Sequence, residues 1–396
     1  MVLTYLSLAN FRNYTSLELD LPSHLVVFQG ENAQGKSNLL EAIYILATSR
    51  SHRASNEREL INWSALKEEL PVCRIAAEAH RAGKKLRLEI ALMGKPNDSS
   101  STEQSTTGAS TVQKRIRING TAKRAIDLIG QINVVPFSAQ DINIIAGEPA
   151  LRRRYLDITN SQIDRHYLRQ LQRYQRILWQ RNRLLRLIAD NRASPDELLY
   201  WDQELVQTGA YITVQREHMV TELTRLAQVI HDELSGGQGI LSLAYHRSID
   251  KKKGAGDSRL EEISTVFFQA LQTARVKEIN QGMSLIGPHR DELRFSTDDV
   301  DLGIYGSRGQ QRTAALSLKL AEARFMLGKT GEQPILLLDD VLSELDAQRR
   351  SHLLHSVAEY QQVLITATDL DYFDPNFLKQ AELFMVSKGC VEPLHL

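Results

Sequence analysis

The amino-acid sequence predicts an α/β fold that is built around a phosphate-binding loop and interrupted by a helical lobe. Three observations predict it. A short apolar run at residues 25–28 is followed by a glycine-containing loop and then by apolar residues at helical spacing. Long helical patterns fill residues 149–234. From Phe295 the pattern returns to that of strands, and the apolar run at residues 335–338 ends in two aspartates.

This order of patterns predicts two lobes rather than consecutive domains. We expect residues 1–148 and 287–396 to form a discontinuous head, lobe I, and residues 149–286 to form a mostly helical insert, lobe II. Residues 97–111, between two predicted strands, are rich in Ser and Thr. Their low hydrophobicity predicts a disordered hairpin loop, with a segment for modification or for a partner as the alternative.

Composition excludes several classes of protein. Of the 396 residues, 42% are hydrophobic and 24% are charged, which is ordinary for a folded protein in water. No apolar run approaches the roughly 18 residues of a membrane-spanning helix, so a membrane protein is excluded. Two cysteines, Cys73 and Cys390, are too few for a disulfide framework or a structural zinc site, which predicts a cytoplasmic protein. The charges of the 48 basic and 48 acidic residues cancel, which excludes a uniformly basic protein. A net charge of zero says nothing against a local basic face.

Eight consecutive residues match the phosphate-binding pattern G-x-x-x-x-G-K-[ST]: Gly30, Glu31, Asn32, Ala33, Gln34, Gly35, Lys36 and Ser37. Small residues let the backbone curl so that successive N–H groups point at phosphate oxygens. The helix that follows presents the positive end of its dipole to the same anion. We expect Lys36 to lie near the β- and γ-phosphates and the Ser37 hydroxyl to ligate Mg²⁺.

A second element of a phosphate site follows the apolar run 336–338, where Asp339 and Asp340 stand at the carboxyl end of a predicted strand. Ligands of open α/β sheets gather at that edge. We expect Asp339 to hold Mg²⁺ directly or through water, and Asp340 to orient and polarise the attacking water. Paired acids after a strand could instead cap the next helix.

The segments that flank this strand indicate which kind of nucleotide-binding protein this is. Residues 307–311 precede a predicted helix that leads to the Asp339 strand, and residues 343–346 follow Asp340 directly. This order resembles the signature motif, Walker B strand and D-loop of the ABC-type ATPases. In that family the signature loop caps the γ-phosphate that the opposite subunit binds. The resemblance implies that Ser307, Gly309 and Gln310 act across a dimer interface, and that Asp346 is the D-loop aspartate.

Residues 234–238 spell the signature of ABC transporters literally, as Leu-Ser-Gly-Gly-Gln. They lie far upstream of Asp339, and the pattern that follows at residues 240–245 is that of a strand, so no helix N-terminus is available for an anion there. A glycine stop after the preceding helix explains the sequence. We therefore expect residues 307–311 to be the functional signature.

Taken together, the motifs resemble those of the RecF family, relatives of the SMC proteins without their long coiled coil. The resemblance covers nearly the full length and is carried by residues 11–14, 30–37, 51–53, 152–157, 287–291, 307–311 and 338–346. It implies an ABC-type ATPase head with ATP and Mg²⁺ as cofactors. It further implies that Gln140 is the Q-loop residue that links Mg²⁺ to the helical lobe, and that Arg12 and Asn13 lie near the nucleotide.

The resemblance also implies function and partners. Members of the family close into a dimer with ATP, favour junctions of duplex and single-stranded DNA, and work with RecR and RecO to load RecA at gaps. This sequence departs from the wider ABC pattern in two places. Asp340 stands where ABC ATPases usually have Glu, which suggests slow hydrolysis. Residues 366–369 occupy the switch position where transporters have His, which leaves the γ-phosphate sensor open.

A basic face is visible inside the predicted insert. Residues 161–192 contain eight arginines, opposed only by Asp164 and Asp190. Four of them fall at helical spacing and form one stripe: Arg165, Arg169, Arg173 and Arg176. The preponderance of Arg over Lys favours phosphate contacts, although arginine-rich helices are often only solvated faces. We see no aromatic platform of the kind found in RNA-binding proteins and no recognition-helix motif, so we expect readout of DNA backbone and shape without base specificity.

Together with these residues, the resemblance implies a weak, DNA-stimulated ATPase in which ATP binding closes a dimeric clamp on DNA and slow hydrolysis opens it. Asp340, Lys36 and Gln140 are the expected catalytic residues. Two other functions stay open: a transporter-type ATP-binding subunit, and a scaffold that binds ATP without cleaving it.

Overall fold

The computed structural model describes residues 1–22, 24–94, 112–249 and 260–395. The hairpin loop predicted at residues 97–111 lies outside the described residues. The chain divides into two compact units, the first formed by Met1–Ala139 with Met326–Leu396 and the second by Gln140–Phe325. The second unit thus contains the predicted helical insert and also takes in residues 140–148 and 287–325.

In chain order, the strands are β1 (Val2–Phe11), β2 (Tyr14–Asp20), β3 (Leu25–Gln29), β4 (Val72–Arg81), β5 (Lys84–Gly94), β6 (Val112–Ile118), β7 (Thr121–Lys123), β8 (Val134–Ser138), β9 (Leu241–His246), β10 (Glu292–Thr297), β11 (Val300–Asp301), β12 (Ile335–Asp339), β13 (Val363–Ala367), β14 (Ala381–Ser387) and β15 (Cys390–Pro393). The helices are α1 (Lys36–Thr48), α2 (Ala125–Leu128), α3 (Ile142–Ala146), α4 (Pro149–Ile163), α5 (Arg165–Ala189), α6 (Leu198–Ser235), α7 (Leu260–Gln281), α8 (Leu302–Tyr305), α9 (Arg308–Thr330), α10 (Ala347–Val357) and α11 (Pro375–Leu378).

The first unit contains a mostly parallel sheet in the order β15-β14-β3-β13-β12-β8. Its central strands β3, β12 and β13 are nearly continuous runs of buried apolar residues, as expected for strands covered on both faces. All three are parallel, so their carboxyl ends meet at one edge of the sheet. That edge carries the phosphate-binding loop after β3 and the two aspartates at the end of β12.

The same unit contains an antiparallel sheet in the order β2-β1-β4-β5-β6-β7. Side chains of both sheets and of helix α1 form one core cluster, in which Leu39, Ile43 and Leu46 of α1 are almost completely buried. A helix with apolar residues on nearly every side is stable only when it is covered on nearly every side. This packing fixes the helix that begins at the phosphate-binding loop.

The second unit is built from long helices and the small sheet β11-β10-β9. Helix α6 ends at Gly236, whose φ of 66° is the left-handed conformation that glycine adopts at helix C-termini. The literal transporter signature at residues 234–238 is therefore a helix stop that leads into β9. Helix α9 begins directly after Ser307 in the second unit and ends in the first, where β12 follows it.

Candidate functional site: a nucleotide site and an arginine-rich helix

The phosphate-binding loop needs both of its terminal glycines. A Cβ atom at Gly30 would lie 2.3 Å from the backbone oxygen of Val386. Gly35 has a φ of +115°, and a Cβ atom there would lie 2.4 Å from Asn13 Nδ2. The loop therefore folds tightly against its surroundings only with hydrogen at these two positions.

Side chains from the β1–β2 hairpin hold the loop in shape. Asn13 Nδ2 donates to the backbone oxygen of Gln34 at 2.9 Å, and Asn13 Oδ1 accepts from Asn38 Nδ2 at 2.7 Å. The Tyr14 hydroxyl donates to the backbone oxygen of Gly35 at 3.0 Å. Asn13, expected beside the nucleotide, thus lies against the loop itself. Sequence reasoning gave Tyr14 no role, and the only local signal for it was its place next to Asn13.

Lys36 fills the interior of the loop. Its Nζ donates to the backbone oxygens of Gly30 at 2.6 Å and of Glu31 at 2.8 Å, and its side chain is buried. Desolvation lowers the pKa of Lys36, while the charges of Asp340 and Asp339 act in the opposite direction. The ammonium group is therefore held where phosphate oxygens can replace backbone carbonyls as its partners.

Thr366 holds the two aspartates at the sheet edge. It lies on β13 directly beside Asp339 of β12. Its Oγ1 donates to Asp339 Oδ1 at 2.9 Å and accepts the backbone N–H of Asp340 at 2.9 Å. Sequence reasoning placed Thr366 in the switch segment but did not see this role. The signal is available in principle, because the register of two parallel central strands puts Thr366 opposite Asp339.

Asp340 is held in an unfavourable position. Its φ of 50° is the left-handed conformation, which costs on the order of 1 kcal/mol for a residue other than glycine. Burial raises the pKa of its carboxyl group, and the charge of Lys36 pulls that pKa down. Its Oδ1 is buried and has no hydrogen-bond partner among the described residues. Strain and an unpartnered oxygen together mark a group kept for a ligand or a water molecule.

The donors at this edge fit Mg²⁺. The Ser37 hydroxyl and the carboxylates of Asp339 and Asp340 are the oxygen ligands that Mg²⁺ prefers, and the orphaned Asp340 oxygen shows spare acceptor capacity. Within the described ranges, no group of three or more His, Cys, Asp or Glu residues could enclose a metal ion. Mg²⁺ in nucleotide sites is usually bound by one or two carboxylates together with substrate phosphates.

Arg12, also expected near the nucleotide, is engaged in a buried ion pair. Its Nε and Nη2 donate to the two carboxylate oxygens of Glu41 on α1, at 3.0 and 2.8 Å. Its Nη1 donates to the backbone oxygen of Glu59 at 3.0 Å. Burial alone would raise the pKa of Glu41, but hydrogen bonds from Arg12 and Ser51 bring that pKa below its usual value. Glu41 was missed because nothing in a helical sequence pattern identifies its distant partner.

A cavity of about 680 Å³ opens beside the phosphate-binding loop in the first unit. Its wall includes Asn13 and Asn38, which contact the loop, together with Arg53 and Trp63. The Trp63 side chain is 69% exposed. The cavity has the size and the aromatic lining that a nucleobase with its ribose requires.

The predicted signature segment lies in the second unit, at the N-terminus of α9. The Ser307 Oγ accepts the backbone N–H of Gln310 at 3.2 Å, and Gln310 Oε1 accepts the backbone N–H of Ser307 at 2.9 Å. This reciprocal arrangement is a capping box, and its residues are exposed. Of the residues that the structure describes, only Ser307 would contact a Cβ atom at Gly309, with its Oγ at 3.9 Å, so packing against the described part of the chain does not explain the glycine.

Gln140 and Asp346 are the two remaining residues predicted to act at the nucleotide site. Gln140 is exposed in the turn Ala139–Asp141 that follows β8. Asp346 caps α10, since its Oδ1 accepts the backbone N–H of Arg349 at 2.9 Å. That hydrogen bond lowers the pKa of Asp346. The contacts show that Asp346 caps α10. Its role as the D-loop aspartate stays a prediction from the resemblance to ABC-type ATPases.

The four predicted DNA-binding arginines, Arg165, Arg169, Arg173 and Arg176, are all exposed on α5. Arg173 forms an ion pair with Glu204, with Nη2 2.6 Å from Oε2. One of the eight arginines counted in residues 161–192 does not lie on the surface. Arg181 is completely buried and forms ion pairs with Asp202 and Glu278, at 2.8 and 2.6 Å. Its charge is neutralised inside the second unit and contributes nothing to a surface stripe.

Comparisons with known proteins agree with this architecture. Residues 2–392 match the family described as RecF/RecN/SMC N terminal domain. The chain is 46% identical to the DNA replication and repair protein RecF of Chloroflexus aurantiacus, covering 99% of each chain. It is 44% identical to the protein of the same name from Roseiflexus castenholzii, covering 99% of this chain and all of that one. A solved structure described as the recombination mediator protein RecF-ATP in the RecFOR pathway superposes with a TM-score of 0.84 at 30% identity, covering 100% of this chain and 98% of the other.

No helix among the described residues is both long and apolar enough to cross a membrane.

Proposed function

The chain belongs to the RecF family, whose fold is that of an ABC-type ATPase head, and from this premise we propose that it is an ATP-dependent DNA-binding protein of recombinational repair. The observation that carries the proposal is the buried Asp340 oxygen without a hydrogen-bond partner among the described residues, in the same site as the ammonium group of Lys36. A carboxylate in that state is suited to accept a hydrogen bond from an attacking water molecule.

The first part of the proposal is slow ATP hydrolysis. Lys36 binds the β- and γ-phosphates, and Asp340 orients a water molecule for attack on the γ-phosphorus. The bond between that phosphorus and the oxygen bridging the β- and γ-phosphates then breaks. Mg²⁺, held by Ser37 and Asp339, would neutralise the charge that develops on the phosphates. Gln140 is the proposed link between this site and the helical insert. The short side chain of Asp340 must reach the water from a strained backbone, which makes hydrolysis slow.

The second part concerns the residues that contact the base and ribose of ATP and those that contact its γ-phosphate. The cavity lined by Asn13, Asn38, Arg53 and Trp63 receives the base and ribose. The exposed signature residues Ser307, Gly309 and Gln310 cap the γ-phosphate bound by a second copy of the chain, with Asp346 beside them. Among the described residues only Ser307 Oγ, at 3.9 Å, comes near the position of a Cβ atom at Gly309, as expected where a partner approaches. ATP then joins two subunits into a dimer.

The third part is DNA binding by the exposed arginines of α5. Guanidinium groups bind phosphates well, and the helix itself carries no acidic residue to compete for them. By family membership, the DNA is a junction of duplex and single strand, and the protein partners are RecR, RecO and RecA. The dimer acts as a clamp that ATP closes and hydrolysis opens.

The hydrolysis proposal is tested by measuring phosphate release and nucleotide binding with and without DNA. Asp340→Asn should bind ATP but lose most of its phosphate release, and Lys36→Met should lose ATP binding. Asp371→Asn, an exposed aspartate of the same unit, is the matched control and should behave as the unchanged protein. Normal phosphate release by Asp340→Asn would remove Asp340 from the mechanism.

The DNA proposal is tested by the salt dependence of binding to duplex DNA. Replacing Arg165 and Arg169 with Glu should weaken binding and reduce the slope of log affinity against log salt by about two. Arg294→Glu changes an exposed arginine on β10 and serves as the control. An unchanged slope for the double variant would exclude α5 as the DNA-binding helix.

A further inference from the structure

An exposed tryptophan stands inside the arginine stripe of α5. At 3.6 residues per turn, Arg165, Arg169, Arg176, Trp179 and Arg183 fall on one face of the helix. All five are exposed, and the Trp179 side chain is 61% accessible. Trp179 lies three residues after Arg176 and four before Arg183, so both guanidinium groups are its neighbours along the surface.

No contact among the described residues of the second unit accounts for this exposed tryptophan. Among the residues that the structure describes, none forms a recorded hydrogen bond or ring contact with the Trp179 indole. The described part of the chain likewise gives no ion pair to Arg176 or Arg183. Large aromatic side chains contribute most when they are covered, so an indole left this open at the centre of a charged stripe points to a ligand.

The helix is anchored at the level of Trp179. Arg181, two residues further on, is completely buried and binds Asp202 of α6 and Glu278 of α7. It also donates to Ser284 Oγ at 2.7 Å. A helix fixed by three buried polar contacts holds its opposite face still, so the stripe is a preorganised surface and loses little entropy on binding.

We propose that Trp179 stacks on an unpaired base of single-stranded DNA while Arg176 and Arg183 hold the phosphates on either side of it. This inference rests on the proposed DNA binding and assigns the single-stranded part of the DNA to α5. Alternation of an aromatic ring with cationic groups is the arrangement by which proteins bind single strands without sequence preference. In a duplex the flat faces of the bases are covered by their neighbours, so only unpaired bases can use the indole.

An acidic protein surface is the other partner that arginine and tryptophan could recognise, since both residues are common at the centres of protein interfaces. The composition of α5 favours nucleic acid. The 25-residue helix has seven arginines and no acidic residue, and arginine is the residue that pairs best with phosphate groups. Repeated cationic groups along one line match the regular phosphates of a strand.

Three variants of the full-length protein test the proposal, with ATP present. Trp179→Ala removes the ring, Trp179→Leu keeps an apolar side chain without a π-face, and Trp179→Phe keeps a smaller ring. Each is titrated with an oligothymidylate, with an abasic oligonucleotide of the same length, and with a blunt duplex. Val276→Ala, at a 72% exposed position of the same unit, is the control for surface substitution.

Stacking predicts a specific pattern. Trp179→Ala and Trp179→Leu should bind oligothymidylate about tenfold or more weakly than the unchanged protein, and Trp179→Phe should recover much of that loss. All variants should bind the abasic strand and the blunt duplex with unchanged affinity and unchanged salt slope, because the arginines are intact. Photocrosslinking of a 5-bromouracil oligonucleotide should place the crosslink on Trp179.

Other results would overturn the inference. If Trp179→Leu binds oligothymidylate normally, or if the abasic strand loses as much affinity as oligothymidylate, no base stacks on the indole. If every variant binds DNA normally and Trp179→Ala instead loses a protein partner, the surface is a protein interface. If the Arg165 and Arg169 double variant loses duplex binding while the Trp179 variants bind all DNAs normally, stacking is refuted. The proposed DNA binding by α5 then stands. Absence of DNA binding by the unchanged protein would refute both.

Discussion

Single residues in this protein show how buried charge is retained. Glu41 is completely buried, and both of its carboxylate oxygens are met by Arg12. Arg181 is completely buried, and three side chains meet its guanidinium group. Asp340 differs, because one of its oxygens has no hydrogen-bond partner within the described ranges. Glu41 and Arg181 are thus satisfied within the fold, whereas among the described residues Asp340 keeps a free acceptor where chemistry is proposed.

Arg12→Ala tests the stabilising role of the Arg12–Glu41 pair. The substitution leaves a buried carboxylate with Ser51 as its remaining side-chain partner, so we expect a loss of about 3 kcal/mol in the free energy of unfolding. Urea denaturation at neutral pH measures it. Arg117→Ala, which removes an exposed ion pair to Glu89 at 3.5 Å, is the control and should cost less than about 1 kcal/mol.

The same pair predicts a pH dependence. The pKa of Glu41 in the folded protein lies below its usual value of 4.5, so its contribution is complete above that pH and is lost as pH falls through the lower, folded pKa. The difference in stability between the unchanged protein and Arg12→Ala should therefore shrink in acid. A difference that stays constant from pH 7 to below pH 4 would show that charge is not its source.

Thr366→Val tests the positioning of the catalytic edge. Valine keeps the size and the strand propensity of threonine but removes the hydroxyl that links Asp339 with the backbone of Asp340. We expect ATP to bind with nearly normal affinity and phosphate release to fall about tenfold or more. Thr366→Ser keeps the hydroxyl and should recover most of the rate. Equal loss in both variants would indicate a packing defect instead.

Elements differ in how much of them the sequence makes predictable. Strands β3 and β12 were predicted within a few residues, and helices α1 and α9 were predicted after the segments that precede them, because continuous apolar runs and helical spacing are local signals. Interactions between elements were not. The Tyr14 contact with Gly35, the Arg12 pair with Glu41 and the burial of Arg181 join residues far apart in sequence, and no local pattern contains them. The sequence analysis assigned no role to Trp179, because it considered only the charged residues of this helix.

The two glycine-rich segments give a prediction at the scale of elements. Gly236→Asp places a side chain in the left-handed cap of α6, which should cost about 1 kcal/mol of stability but leave ATP-driven dimerisation intact. A Cβ atom at Gly309 makes no contact closer than 3.9 Å to the described residues, so Gly309→Asp should keep its stability, while a negative charge at the N-terminus of α9 should abolish that dimerisation. Sedimentation with and without ATP separates the two. The reverse result would make residues 234–238 the functional signature.

The whole molecule is organised by a chain that leaves the first unit after β8 and returns to it through α9. The phosphate-binding loop and the aspartates of β12 belong to the first unit, whereas the signature residues and the arginine-rich helix belong to the second. Helix α9 begins at the signature segment, and residues 331–334 connect its end to β12. If one copy binds ATP through its phosphate-binding loop and a second copy caps it with its signature segment, the nucleotide state is linked to the helix that we propose binds DNA.

The measurement that tests this account most directly is the mass of the purified protein by light scattering in saturating Mg·ATP, with nucleotide binding confirmed on the same sample. We predict a shift from 44.8 kDa without nucleotide to about twice that mass with ATP, retained longest by Asp340→Asn. A protein that binds ATP and still has the mass of one chain would contradict the proposal that each subunit completes the nucleotide site of the other.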